Sequence, residues 1–115
     1  MRLRGRLRSS PAVGGAEGEV RYGRTQDDDV VIDLTVEHLR APERLEPPGW
    51  AYVAWARGSS GSPLNLGPLS VSRGRHATLR AVTQLRNFDL FVTAEPAADV
   101  ESPSGEPLLW ASRHE

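Results

Sequence analysis

From Val30 to Val36 the chain alternates with a period of two. Val30, Ile32, Leu34 and Val36 fall on one side; Asp33, Thr35 and Glu37 fall on the other. Within this run Val30, Val31, Ile32 and Val36 are β-branched aliphatics, and Thr35 is β-branched too. Such residues lose rotamer freedom in a helix and suit a pleated, half-wet surface. The segment predicts a strand with one face in a core and one in water, which belongs to an antiparallel sheet.

The same period returns later. Phe88, Leu90, Val92 and Ala94 oppose Asp89, Thr93 and Glu95, with Phe91 as the exception. Glu17–Gly23 reads as another strand, followed by a turn at Thr25-Gln26-Asp27-Asp28-Asp29. Trp50–Arg57 is apolar on both faces, so it predicts a strand covered on both sides or lying mid-sheet. Leu64–Ser72 and Arg75–Val82 flank Arg73-Gly74, a hairpin turn in which Gly supplies the positive φ. In the second of these strands Ala77, Leu79 and Ala81 face inward. A last strand spans 107–112. Seven short strands punctuated by turns predict an all-β fold, an antiparallel immunoglobulin-like β-sandwich. The sequence has no βαβ alternation and no long amphipathic helix, so a nucleotide-binding α/β fold is not expected.

The chain of 115 residues is the size of one domain. Residues 1–16 hold Arg2, Arg4, Arg6 and Arg8 and no acid, and read as a flexible Arg-rich tail; residues 17–115 form the domain. The body then sets ten Arg against fifteen acids. The tail without aromatic partners offers nucleic acid only a weak, salt-sensitive contact, so no nucleic-acid partner is expected. No apolar run reaches the roughly 18 residues of a membrane helix, and no signal peptide is apparent. As written, the chain reads as cytoplasmic.

Residues with reactive chemistry are scattered. There is no Cys, which removes disulfides, zinc-thiolate sites and thiol catalysis. His38, His76 and His114 lack metal-ligand spacing. Asp27-Asp28-Asp29 lacks the spaced pattern of a calcium loop and reads as a solvated hairpin tip. Gly58–Ser62 lacks the Gly-x-Ser-x-Gly of a nucleophile elbow. No phosphate loop is present, and Asp89 and Glu95 as an acid–base pair have nothing to bring them a substrate. No enzyme activity, cofactor or metal is therefore expected. The aromatic residues are the main candidates for contact. Trp55, mid-strand between small residues, is expected to fill the gap between sheets. Trp50, Tyr52 and Trp110 are candidate contact residues and, as a stacking platform, would suit a sugar.

Four places resemble the C-terminal domain of the anti-sigma-K factor family of bacterial regulators. Tyr52-Val53-Ala54-Trp55 resembles that family's strand ending in Trp. Asn65-Leu66-Gly67 resembles the Leu-Gly step after it. Val92-Thr93-Ala94-Glu95-Pro96 resembles its Val-Thr-x-Glu-Pro strand end. Ser102-Pro103-Ser104-Gly105 with Pro107-Leu108-Leu109 resembles its Pro-Thr-Gly turn and last strand, with Ser for Thr. The match spans roughly residues 17–112.

The resemblance implies structural roles for Trp55, Gly67, Glu95, Pro96, Pro103 and Gly105. Pro96 would end its strand by removing an amide donor, and Gly105 would permit a turn other residues resist. Glu95 is read as accepting amide hydrogens from the loop that follows it. In that family the domain lies outside the cytoplasm, joined by one membrane helix to a cytoplasmic sigma-binding domain. Neither is present in this sequence, so sigma-factor inhibition itself is not carried over. The expectation is a non-catalytic regulatory or sensory domain acting by protein–protein contact. The edge strands and the loops at 39–49, 58–63 and 96–106 are its contact candidates; the alternative is a small carbohydrate-binding module.

Overall fold

The computed structural model describes residues 3–9, 15–39, 51–72 and 76–114. Among them lie nine strands and no helix: β1 Leu3–Ser9, β2 Glu17–Arg24, β3 Val30–Glu37, β4 Ala51–Arg57, β5 Leu64–Pro68, β6 Ser70–Ser72, β7 His76–Thr83, β8 Phe88–Glu95 and β9 Leu109–Arg113. All pairings are antiparallel, and the strands form one sheet in the order β5-β4-β8-β9-β1-β2-β3-β7-β6. Its two ends, β5 and β6, are consecutive in the chain. Leu69 links them and donates its amide to the Tyr52 carbonyl at 2.8 Å. The sheet thus curls into a nearly closed barrel, which leaves few exposed strand edges.

The alternation of β3 decides what lies inside. Ile32, Leu34 and Val36 face inward, paired with Tyr22, Val20 and Gly18 of β2 and with Ala81, Leu79 and Ala77 of β7. Tyr52, Ala54 and Ala56 of β4 and Phe88, Leu90 and Val92 of β8 close the core from the far side. The β2–β3 hairpin is set by its turn. Thr25 and Asp29 exchange backbone and Oγ1 hydrogen bonds, and Asp28 takes a positive φ of 67°. Asp28 is also clamped by Arg24 at 3.0 Å and Arg86 at 2.8 Å, so two guanidiniums occupy the carboxylate that a calcium ion would need.

Several expectations are corrected here. The strands number nine, not seven. The run at 64–72 divides at Leu69 into β5 and β6, because the chain passes there from one end of the sheet to the other. Residues 3–9 are not a flexible tail but β1, paired with β2 from Leu3↔Tyr22 to Leu7↔Gly18. Trp55 is fully buried, but it is not in the gap enclosed by the barrel. It points to the outer face, where Val53 and Phe91 join it in a separate cluster. Tyr52 is no surface contact: it is 1% exposed and belongs to the inner core. Trp50, most of the 39–49 loop and the Arg73-Gly74 turn lie outside the described residues.

Candidate functional site

The sheet register builds a row of side chains across the barrel's outer face. Arg8 of β1 stands opposite Trp110 of β9, Trp110 opposite Phe91 of β8, Phe91 opposite Trp55 of β4, and Trp55 opposite Asn65 of β5. A parallel row of Ser112, Asp89 and Arg57 lies beside it. Side chains two apart on a strand share a face, so both rows belong to one surface.

One half of this surface is covered. The loop 96–106 crosses over Val53, Trp55 and Phe91, and Val100 packs on them. Two side chains hold it there. Asn65 Nδ2 donates to the carbonyls of Ala98 and Val100, each at 2.9 Å, while its Oδ1 accepts the Gly67 amide at 2.7 Å. Gly67, at φ 118°, allows Asn65-Leu66-Gly67 to bulge against Ala54 and Trp55. At the other end Glu95, fully buried, accepts from Ser104. The amide reaches its two oxygens at 3.1 and 3.0 Å, and the hydroxyl reaches Oε1 at 2.6 Å. The Gly105 amide lies 3.4 Å from Oε2. Thr93 Oγ1 donates to Oε2 at 2.6 Å and itself accepts from Trp55 Nε1 at 2.9 Å.

Burial alone would raise the Glu95 carboxyl. Hydrogen bonds from the Ser104 and Thr93 hydroxyls, and from the Ser104 and Gly105 amides, outweigh it and hold the group below its ordinary pKa. A buried carboxylate with this many donors is a clamp on the loop. Gly105 does not take a positive φ, so the expected turn constraint gives way to one of space: a Cβ there would stand 3.1 Å from the Ala94 carbonyl oxygen, a tight contact. β8 ends at Glu95, just before Pro96. Trp55, Gly67, Glu95 and Gly105 are thus brought into one constellation.

The other half of the surface is open. A groove of about 780 Å³ runs between the loop and β9. Phe91 and Trp110 line it, and Arg57, Asp89, Glu106 and Ser112 supply polar groups. Pro63, Pro103 and Pro107 border it. The Arg57 guanidinium sits 5.7 Å from the Phe91 ring centroid, a cation–π distance. Ser112 Oγ donates to Asp89 Oδ1 at 2.7 Å. Trp110 is 37% exposed, the most accessible of the aromatic candidates among the described residues. Elsewhere, His76 Nδ1 lies 2.6 Å from Glu37 Oε1. Among the described residues no group of His, Asp and Glu could hold a metal ion, and no helix is long and apolar enough to cross a membrane.

Sequence reasoning missed Arg8, Arg57, Asn65 and Ser104. The signal for Arg8 is the strict Arg/apolar alternation over residues 2–8, a strand period inside a supposed tail. Asn65 and Ser104 stood in quoted motifs, but nothing in spacing reveals that both grip one loop. No protein-family model, curated protein or solved structure matches the chain.

Proposed function

We propose that this is a non-catalytic recognition domain that binds a segment of another protein in the open groove, and that its role is regulatory. The observation that carries the reading is the half-exposed Trp110 set beside Phe91 and Arg57 on a rigid sheet, with prolines along the rim. Trp and Arg in a shaped, partly desolvated site are what dominates protein contacts. The clamped loop supports it, because a fixed wall lowers the ordering cost of binding.

Kinship with the outer domain of anti-sigma-K factors is part of the same proposal. Its support is that the motifs behind the resemblance converge on the loop clamp: Trp55, the Asn65-Leu66-Gly67 bulge, Glu95 and Ser104-Gly105. We also read the barrel as an elaborated immunoglobulin-like sandwich. Set β1 aside, and β2-β3-β7-β6 and β9-β8-β4-β5 follow the strand order of that plan. In this reading β1 is an added strand that joins the two layers.

The carbohydrate reading keeps Trp110 but loses Tyr52 to the core. Panning a displayed random-peptide library tests the proposal, with glycan titrations of Trp fluorescence run alongside. Peptides that enrich on the native domain should lose binding about tenfold or more on Trp110→Ala, the scale of a hot-spot residue. A glycan response that vanishes in Trp110→Ala, with no peptide enriched, would replace the protein-binding reading with the sugar one.

A further inference from the structure

Within the sheet, the ladder between β1 and β9 is short. β1 pairs with β2 along Leu3–Leu7, and β9 pairs with β8 up to Arg113. Between themselves β1 and β9 share two register positions, Arg8↔Trp110 and Ser9↔Leu109. Continued, the ladder would join Leu7 to Ala111 and Arg6 to Ser112. Instead the strands part, and a cleft of about 440 Å³ opens there, lined by Gly5, Arg6, Arg8, Tyr22, Trp110 and Ser112.

Three features mark the cleft. First, Val20 lies on its floor, and Gly5 adds no side chain above Val20. Second, the Tyr22 hydroxyl is buried and has no hydrogen-bond partner among the described residues, although Tyr22 is 6% exposed overall. Third, Arg6 and Arg8 stand exposed on the outer rim, and neither forms an ion pair with a described residue. Glu19, across the ladder from Arg6, is held by Arg21 at 3.2 Å. Arg6 and Arg8 are two apart, so they share a face at roughly 6.6 Å along the strand.

An extended strand fits the first and the third. Its inward side chains would meet Val20 and Tyr22, and its outward ones would meet Arg6 and Arg8. Open strand edges accept such a segment by main-chain pairing. We propose that the β1–β9 seam binds an extended partner segment in which acidic and apolar residues alternate. The site rests on the reading of this domain as a protein-binding one, but uses residues of β1 that the open groove does not.

The probe is a six-residue synthetic peptide alternating valine and glutamate, titrated into the isotopically labelled chain. Amide shifts should concentrate at Gly5–Leu7 and Ala111–Ser112. Arg6→Glu with Arg8→Glu should weaken binding at least about tenfold, as reversal of two facing charges does. Gly5→Val is the second variant: its Cβ would sit 3.7 Å from Val20 Cγ1, an ordinary contact, and it should block the seam in a folded protein. Absence of binding overturns the proposal. So do equal binding by a control peptide with lysine in place of glutamate, shifts confined to the Arg57–Asp89 groove, or the same shifts with acetate alone. Peptides enriched by panning while this probe fails would sink the seam and spare the groove.

Discussion

The barrel's interior and its outer cluster are both buried, yet they are built in opposite ways. Inside, Ile32, Leu34, Tyr52, Phe88, Leu90 and Leu109 pack from several strands, so no single contact defines the core. Outside, Val53, Trp55 and Phe91 are covered by one loop, and that loop is clamped by two polar side chains, Asn65 and Glu95. Hydrophobic burial is additive and non-directional. A hydrogen-bonded carboxylate is directional and depends on its charge. The inner core should therefore fail only globally, while the outer cluster can open locally around its clamp.

The largest effect should come from Trp55→Ala. It removes the largest fully buried side chain and should cost about 3–5 kcal/mol in denaturant unfolding, like a large-to-small change in a true core. A loss below about 1 kcal/mol would mean the outer cluster is a cover and not a second core. Glu95→Gln comes next, at about 2–3 kcal/mol, because an amide NH₂ would face donors with no acceptor to offer. Hydrogen exchange should rise across 96–106 and stay unchanged in β2, β3 and β7. Uniform loss of protection would break the contrast between the regions.

Acid should separate them in the same way. The Glu95 carboxyl has its folded-state pKa depressed, so the unfolded chain takes up its proton first as pH falls. The stability it contributes is therefore present above the unfolded value, about 4.3, and is lost as pH falls through the folded one. Trp fluorescence should report loop release in that range ahead of global unfolding. In Glu95→Gln that early change should be absent. Ser104→Ala removes one hydroxyl from the clamp and keeps the amide; about 1 kcal/mol is expected, with exchange raised near 104 alone.

The two regions also differed in how much of them could be read in the sequence. The interior was legible because period-two alternation reports one buried face: Val30 to Val36 and Phe88 to Val92 face where the pattern puts them. The outer cluster was half legible. Phe91 broke the alternation of β8, and Val53 and Trp55 made β4 apolar on both faces, which announces a second covered side. What covers it could not be read, because a loop clamp depends on contacts between residues far apart in sequence, such as Asn65 and Val100. The position of Trp55 is illegible for a related reason: alternation tells which residues share a face, not which face is inside. In β1 charge and period point opposite ways. Arg4, Arg6 and Arg8 suggested a tail, while Leu3, Gly5 and Leu7 between them kept the rhythm of a strand.

The smallest effect tests a buried hydroxyl at the edge of the inner core, that of Tyr22. The Tyr22 ring meets Phe88 edge-on at 6.0 Å and lies 5.5 Å from the Arg113 guanidinium, so most of its packing needs no hydroxyl. Burial raises the hydroxyl pKa from 10.0 to about 12, against the opposing pull of Arg113. Tyr22→Phe leaves the ring in place and removes an unpartnered buried donor; stability should hold or rise by up to about 1 kcal/mol. The pH dependence sharpens this. A raised phenol pKa means the unfolded chain loses its proton first, so the Tyr22 contribution fades between pH 10 and about 12. The variant should lack that part of the alkaline slope. A loss above about 1 kcal/mol would show that the hydroxyl is bonded in the folded barrel. The seam would then lose its inward polar group, and the interior would prove as dependent on a placed hydrogen bond as the outer cluster.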